Sequence, residues 1–369
     1  MKKVFILVGE ASGDLHASNL IREINGRAPS IEWQGWGGDL MQKEGVQLKN
    51  HIRNLSFMGF LEVLMNIRTI LRNFKKCKNQ ILDFNPDVLL LVDYPGFNLR
   101  MAKWAKEQGI SVTYYISPQI WAWKASRIKI IKDTVDKMYC ILPFEKLYYD
   151  KEGFEVSYFG HPLIDAKQNY ERQVKEKPSS DQRRVIAILP GSREQEVKRK
   201  LSIMLRAVRK FKDFTPVVAC APNLPSSFYE VYRSKFPSVE FVYGKTYDLL
   251  SIAEFAVVTS GTATLETAIF KVPQVICYKS SYISYWIARM LVNIKYISLV
   301  NLIMDKEIVV ELIQENVSKT RIQDEINKLI SDQEYKQVML NSYDKMLDLL
   351  GSEGCSKKIA QDLIHHYKK

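Results

Sequence analysis

Val185-Ile186-Ala187-Ile188-Leu189-Pro190-Gly191-Ser192-Arg193-Glu194, at mid-chain, repeats the pattern of Val4-Phe5-Ile6-Leu7-Val8-Gly9-Glu10-Ala11-Ser12-Gly13-Asp14 near the start. In each, an apolar run of single-strand length meets a turn of small residues. Helix-period apolar residues follow, as at Leu201, Met204, Leu205 and Val208. Comparable runs at 88–92, 112–116, 138–142, 216–220, 239–242, 255–259 and 275–278 alternate with helical patterns. Nearly continuous apolar strands separated by helices imply parallel sheets covered on both faces. The repeat divides the chain into two Rossmann-like doubly wound α/β domains, 1–167 and 185–344, with a polar linker at 168–184. In such folds a ligand binds beyond the carboxyl ends of the strands, here expected in a central cleft faced by both sheets.

The chain has 369 residues, enough for two domains that each bury a core. Hydrophobic residues at 46% and charged residues at 25% exclude a disordered chain. The five cysteines are scattered and include no Cys-x-x-Cys pair, which argues against a disulfide framework or a zinc cluster and for a reducing compartment. The apolar run after Lys2-Lys3 stops at Gly9-Glu10, too short for a signal peptide. The most apolar stretch, 286–304, is broken by Arg289, Asn293 and Lys295, so no membrane-spanning helix is expected. Fifty-three Lys and Arg against 41 Asp and Glu give a formal charge of +12, which calls for an anionic partner. The basic residues are dispersed and no RNA- or DNA-binding motif accompanies them, so nucleic acid is not the expected partner.

The strand-end turns carry the chemistry. Gly9 to Asp14 is neither a dinucleotide fingerprint nor a P-loop, and Ser12 or Asp14 acting as a helix cap is the plain alternative. Asp93, in Asp93-Tyr94-Pro95-Gly96-Phe97-Asn98, follows the strand at 88–92; with Glu10 it could reach the same space as a general base, or it could cap the next helix. Gln119, Trp121 and Trp123 follow another strand and form either core or an acyl-contact wall. Gly191, Ser192 and Arg193 put a glycine, a hydroxyl and a guanidinium where a diphosphate would sit. Ser260-Gly261-Thr262-Ala263-Thr264 is a second phosphate-type turn, and Glu266 is placed for a ribose diol. The five histidines show no metal spacing and the acids do not cluster, so neither metal nor cofactor is expected.

Residues 53–78 hold six Lys or Arg and one acid, Glu62. Phe57, Met58, Phe60, Leu61 and Leu64 lie among them, apolar on nearly every helix face and flanked by Arg68 and Arg72. That pattern fits either a buried helix or one inserted by a face into an anionic bilayer, and the basic flank favours the bilayer. The stretch 281–296, with Trp286, would add to that surface or to the core.

In this order, Gly-Glu-Ala-Ser-Gly-Asp at 9–14, Asp-Tyr-Pro-Gly-Phe-Asn at 93–98 and Ser-Pro-Gln-Ile-Trp-Ala-Trp at 117–123 resemble the lipid-A-disaccharide synthase family. Leu-Pro-Phe-Glu at 142–145, Gly-His-Pro at 160–162, Leu-Pro-Gly-Ser-Arg at 189–193, Ser-Gly-Thr-Ala-Thr-Leu-Glu at 260–266 and Ser-Leu-Val-Asn-Leu-Ile at 298–303 extend the resemblance to nearly the whole chain. It implies a GT-B fold and an inverting transfer from UDP-2,3-diacylglucosamine to 2,3-diacylglucosamine 1-phosphate, giving a β-1,6-linked disaccharide and UDP without a metal. Asp93 would be the base, with Glu10 second or orienting the acceptor. Gly191 to Arg193, Ser260 to Thr264, Glu266 and Asn301 would hold the donor. Ser12, Gly13, Asn98, Gln119, Trp121 and Trp123 would line the acceptor and its acyl chains. The resemblance further implies a cytoplasmic enzyme at the anionic inner face of the inner membrane. It also suggests either a homodimer with exchanged C-terminal segments or a C-terminal helix, about 345–369, packed on the first domain. Two positions depart from the family pattern: Val300 stands where Pro is usual, and Gly96 where some relatives carry an acid. A UDP-sugar 2-epimerase shares the expected architecture but needs no apolar, basic 53–78 stretch.

Overall fold

The computed structural model of the chain describes residues 1–54, 67–174, 183–292 and 294–367. It divides into unit 1, Met1–Ala166 with Ala288–Asn293 and Leu350–Lys369, and unit 2, Lys167–Ile287 with Ile294–Leu349. The sheet of unit 1 contains β1 (Lys3–Val8), β2 (Glu32–Gly37), β3 (Gln47–His51), β4 (Val88–Val92), β5 (Ser111–Tyr115), β6 (Lys137–Cys140) and β7 (Ser157–Tyr158). That of unit 2 contains β8 (Arg184–Leu189), β9 (Phe214–Cys220), β10 (Glu240–Tyr243), β11 (Ala253–Thr259), β12 (Gln274–Tyr278) and β13 (Glu311–Ile313). Their orders are β3-β2-β1-β4-β5-β6-β7 and β10-β9-β8-β11-β12-β13, and every pairing is parallel. Both therefore reverse direction beside their first strand, between β1 and β4 and between β8 and β11, the switch point at which doubly wound sheets bind ligands.

Strand alternation explains the layers. Phe5, Leu7, Leu89 and Leu91 face a core shared with Trp36, Cys77, Ile81 and Met101. Val4, Ile6, Val8, Leu90 and Val92 face the opposite core, with Leu20, Ile21 and Ile24. Each such buried Leu or Ile contributes about 1.5–3 kcal/mol, and burial on both faces gives the uninterrupted apolar runs read from the sequence. The second core also contains Cys355, Ile359, Ala360 and Leu363 of the helix Cys355–His366. Asp165 fixes that helix: its carboxylate accepts from the backbone N–H groups of Gly354 (2.7 Å), Cys355 (3.2 Å) and Ser356 (2.7 Å). A carboxylate there satisfies donors that the helix start leaves open and complements its positive end.

Four strands escape the apolar-run criterion. β2 is built from two tryptophans and two glycines, and Gly35 is required because a Cβ there would stand 2.0 Å from the Ile6 carbonyl oxygen. β3 is a polar edge strand, and β7 and β13 have two and three residues. The polar stretch expected to be a linker begins as helix, since Pro162–Gln173 is helical; residues 175–182 lie outside the described residues.

Candidate active site

In unit 1 the carboxyl ends of the adjacent strands β1 and β4 carry Glu10 and Asp93, both half-buried. Asp93 (φ 48°) and Tyr94 (φ 50°) take left-handed backbone conformations, as does Ile116 (φ 63°) at the end of neighbouring β5. Such conformations in non-glycine residues cost roughly 1–3 kcal/mol each, and a β-branched residue is especially disfavoured. Long-range hydrogen bonds hold the strained turn. The Asp93 N–H donates to the Tyr115 carbonyl (3.0 Å), and the Asp93 carbonyl accepts from Tyr114 Oη (2.6 Å) and Asn98 Nδ2 (2.7 Å). The Tyr94 ring lies where a Gly9 Cβ would come within 2.5 Å, so only glycine fits at 9. Burial, and then the Glu10 charge, raise the Tyr94 pKa.

The capping alternatives do not describe these residues. Tyr94, not Asp93, occupies the N-cap of the helix Pro95–Glu107, with no side-chain cap bond. Glu10 is the N-cap of Ala11–Asn25, likewise without one. Asp14 is buried and serves a different helix, Asp39–Lys43, accepting from the N–H groups of Gly38 (2.8 Å), Leu40 (3.1 Å) and Met41 (3.1 Å).

In unit 2 the ends of adjacent β8 and β11 carry the other two turns. Gly191 has φ 116°, and a Cβ there would stand 2.7 Å from Glu196 Oε2 and 3.4 Å from Thr259 Cγ2. Gly261 has φ 149° and is the N-cap of Thr262–Ile269. Arg193 is the exposed N-cap of Glu194–Val208 and meets Glu196 at 3.5 Å. Two helix starts on neighbouring strands, a hydroxyl from exposed Ser192 and an arginine are suited to receive a diphosphate.

A family model described as lipid-A-disaccharide synthetase matches residues 4–363. The lipid-A-disaccharide synthase of Syntrophus aciditrophicus (strain SB) is 37% identical over 377 residues, covering 100% of this chain and 98% of that protein. The one from Nitrosococcus oceani is 36% identical, with 97% and 94% coverage. This chain belongs to the lipid-A-disaccharide synthase family. Its fold is that of GT-B glycosyltransferases and UDP-sugar epimerases. The glycotransferase of kitacinnamycin superimposes with a TM-score of 0.67 at 13% identity, covering 99% of this chain and 98% of that one. UDP-GlcNAc 2-epimerase from Neisseria meningitidis, bound to UDP-GlcNAc, gives 0.65 at 15% identity, covering 99% and 100%.

Within this synthase-family chain, the structure gathers Glu10, Ser12 and Asp93 at the mouth of unit 1, and Gly191, Ser192, Arg193, Ser260, Gly261, Thr262 and Ala263 at that of unit 2. Several other expected contacts turn polar groups into the fold, and the Ser260 hydroxyl itself donates to the Ile297 carbonyl (3.1 Å), whereas Asn98 Oδ1 is buried without a hydrogen-bond partner among the described residues. Gly13 is buried, and a Cβ there would stand 2.8 Å from Val8 Cγ1, so its role is close helix–sheet packing. Asn98 is buried, and its amide donates to the Val92 carbonyl (3.2 Å) as well as that of Asp93. Asn301 donates to Val309 O (2.8 Å) and Glu311 Oε1 (2.9 Å) and accepts from the N–H groups of Ile308 (2.8 Å) and Val309 (3.1 Å), which uses its whole hydrogen-bonding capacity. Ser298 caps that helix, Leu299–Met304, and buried Val300 fits where a proline was expected. Thr264 is buried and donates to the Gly261 carbonyl (2.8 Å). Glu266 accepts from Tyr247 Oη (3.1 Å), with its carboxyl pKa raised by burial.

Gln119 is exposed, and Trp121 and Trp123 are half-buried. Trp121 Nε1 donates to Glu145 Oε1 (3.1 Å), a buried carboxyl whose pKa rises to about 7 through desolvation, against the lowering by its hydrogen bonds. Lys200 escaped notice in the run Lys198-Arg199-Lys200, which reads as solvated. It is 1% exposed, and its pKa falls to about 8 through desolvation, partly offset by Glu196. Glu196, Cys277 and Arg193 are among the groups that act on its charge, and Glu196 also lies against Gly191. Among the described residues no group of three or more His, Cys, Asp or Glu is placed to hold a metal ion.

Phe57, Met58, Phe60, Leu61 and Leu64 lie outside the described residues. The helix Ile67–Phe84 presents Arg68, Arg72, Lys75 and Lys76 to solvent and turns Cys77, Ile81 and Phe84 to the core. On Tyr282–Leu291, Tyr282, Trp286 and Met290 follow one another at helical spacing and are 63%, 54% and 75% exposed. Among the described residues no helix is long and apolar enough to cross a membrane.

Proposed function

We propose that the chain joins UDP-2,3-diacylglucosamine to the 6-hydroxyl of 2,3-diacylglucosamine 1-phosphate, forming a β-1,6-linked disaccharide 1-phosphate and UDP with inversion at the anomeric carbon. Family membership supports the reaction class, and the observation that carries the chemistry is Asp93, held in a strained turn beside Glu10 at the switch point of unit 1. An alcohol is a poor nucleophile until its proton leaves, so Asp93 takes that proton as the oxygen attacks, and Glu10 orients the acceptor. The bond from the anomeric carbon to the diphosphate oxygen breaks, and its electron pair leaves with UDP. Arg193, the Ser192 turn and the Ser260–Thr264 turn stabilise the growing negative charge, with Lys200 adding a buried cation. On this reading no divalent ion is required, and chelator leaves turnover unaltered.

The acyl chains of both substrates require contact with a lipid surface. The exposed basic face of Ile67–Phe84 and the Tyr282, Trp286 and Met290 stripe support peripheral attachment to an anionic bilayer, at the cytoplasmic face of the inner membrane in this reading. The test is mass spectrometry of products from defined acylated donor and acceptor. Disaccharide plus UDP is expected; epimerised nucleotide sugar without disaccharide would overturn the reading.

A further inference from the structure

Lys124 and Arg127 stand over a single indole in unit 1, with Arg100 close enough to act electrostatically on both. Lys124 Nζ lies 4.6 Å from the Trp123 ring centroid, and Arg127 Cζ lies 4.9 Å from it. Desolvation lowers the Lys124 pKa first, and then Arg127 and Arg100 lower it further. Desolvation also leads for Arg127, where Arg100 lowers the pKa and Tyr114 alone opposes. Among the described residues no carboxylate acts on either cation. Arg127 also opens the helix Arg127–Thr134, whose first turn holds no acid. Cations at a helix start oppose its dipole, an opposition that a bound anion would relieve. Lys124 adds strain, with φ 57°. Like charge, an adverse dipole and a strained backbone together describe a place prepared for an anion.

An apolar groove adjoins it. Ile70, Leu71, Phe74 and Trp104 line a hollow of about 270 Å³ between the helices Ile67–Phe84 and Pro95–Glu107, together with Lys78, Arg100, Lys103 and Glu107. Arg100 thus belongs to both features. A cationic end on an apolar trough matches an amphiphile with a compact anionic head and a hydrocarbon tail. A phosphomonoester carries about −1.5 to −2 charges near neutral pH and suits arginine forks.

We propose that Lys124 and Arg127, over the Trp123 ring, together with Arg100 at the groove, bind the phosphomonoester of the acylated sugar-phosphate acceptor, and that the adjoining groove takes one of its acyl chains. This rests on the reaction proposed above and assigns the acceptor's 1-phosphate to a defined place in unit 1.

The test compares wild type, Arg127→Gln and Arg100→Gln with two acceptors in detergent micelles, the diacylated sugar 1-phosphate and its dephosphorylated form. With the phosphorylated acceptor, each variant raises the acceptor KM roughly tenfold to a hundredfold and leaves the donor KM unchanged. With the dephosphorylated acceptor, wild type and variants differ by less than twofold. Thermal stability of the variants equals or exceeds that of wild type, because like charge has been removed. Equal losses with both acceptors, or a fall in stability that accounts for the loss, would overturn the proposal. So would variants with an unaltered acceptor KM but weaker sedimentation with phosphatidylglycerol vesicles, since the cluster would then serve the lipid surface. Absence of disaccharide from wild type would instead count against the reaction; direct binding of the two acceptors, phosphorylated against dephosphorylated, then still decides for or against the phosphate site.

Discussion

The two sheets have the same strand order up to the sixth strand and the same switch point, yet their mouths are built from opposite materials. Beyond β1 and β4 stand the carboxylates of Glu10 and Asp93, with Asp93 and its neighbour Tyr94 forced into left-handed conformations. Beyond β8 and β11 stand glycines that adopt positive φ without a Cβ, Gly191 and Gly261, with hydroxyls and a guanidinium beside them. A glycine turn lets the backbone itself approach a phosphate, whereas a strained side-chain turn fixes the direction of one carboxylate. On the proposed reading the same topology supplies a proton acceptor in one unit and an anion cradle in the other, and the topology alone predicts neither.

Separating the two mouths by mutation is the sharpest way to break this contrast. Asp93→Ala should lower kcat about 10²–10⁴-fold while UDP affinity, measured calorimetrically, stays within twofold. Unchanged turnover would transfer the base to Glu10. Unit 1 also differs in resting on two buried neutral imidazoles. Burial lowers the pKa of His16 to about 4 and of His161 to about 3, so the fold resists their protonation. Their contribution is complete above the ordinary histidine value of 6.5 and is lost as pH falls through 4 and 3. For His16 this amounts to roughly 3 kcal/mol. His16→Phe should flatten the acid limb of unit 1 stability, followed by hydrogen exchange between pH 6.5 and 4, and an unaltered limb would show that other groups take up the protons.

Unit 2 keeps a buried cation instead. Lys200→Met should stabilise unit 2 at pH 7, by up to about 3 kcal/mol, and weaken UDP binding; stability gained without any loss of affinity would remove Lys200 from the cradle. Arg193→Ala should weaken UDP about 10–100-fold, equivalent to roughly 1.5–3 kcal/mol, with a smaller effect in high salt. The smallest effect belongs to Gly96, which is exposed in the first turn of Pro95–Glu107 with no atom within 4 Å of an added Cβ. Gly96→Ala should raise stability by about 0.5–1 kcal/mol in chemical denaturation.

These contrasts were legible in the sequence to different depths. Strands buried on both faces announce themselves as apolar runs, so β1, β4, β8 and β11, and with them the positions of Glu10, Asp93, Gly191 and Ser260, follow from pattern. β2 does not, because its reason for glycine is a close approach to Ile6, a residue far away in the chain. The amides of Asn98 and Asn301 fall beside the motifs, but whether an amide faces ligand or backbone depends on carbonyls that only the fold brings near. Lys200 sits in a basic run typical of a solvated helix face, and nothing local distinguishes the member that turns inward.

The Asp165 carboxylate accepts hydrogen bonds from residues as far as 191 positions later in the chain. A ribosome adding about 5–20 residues per second makes Asp165 some 10–40 seconds before Ser356. During that interval the apolar face that receives Ile359, Ala360 and Leu363 has no cover from this helix. Unit 2, all of whose residues precede Leu350, can close first. The half that begins the polypeptide is thus the last to be completed.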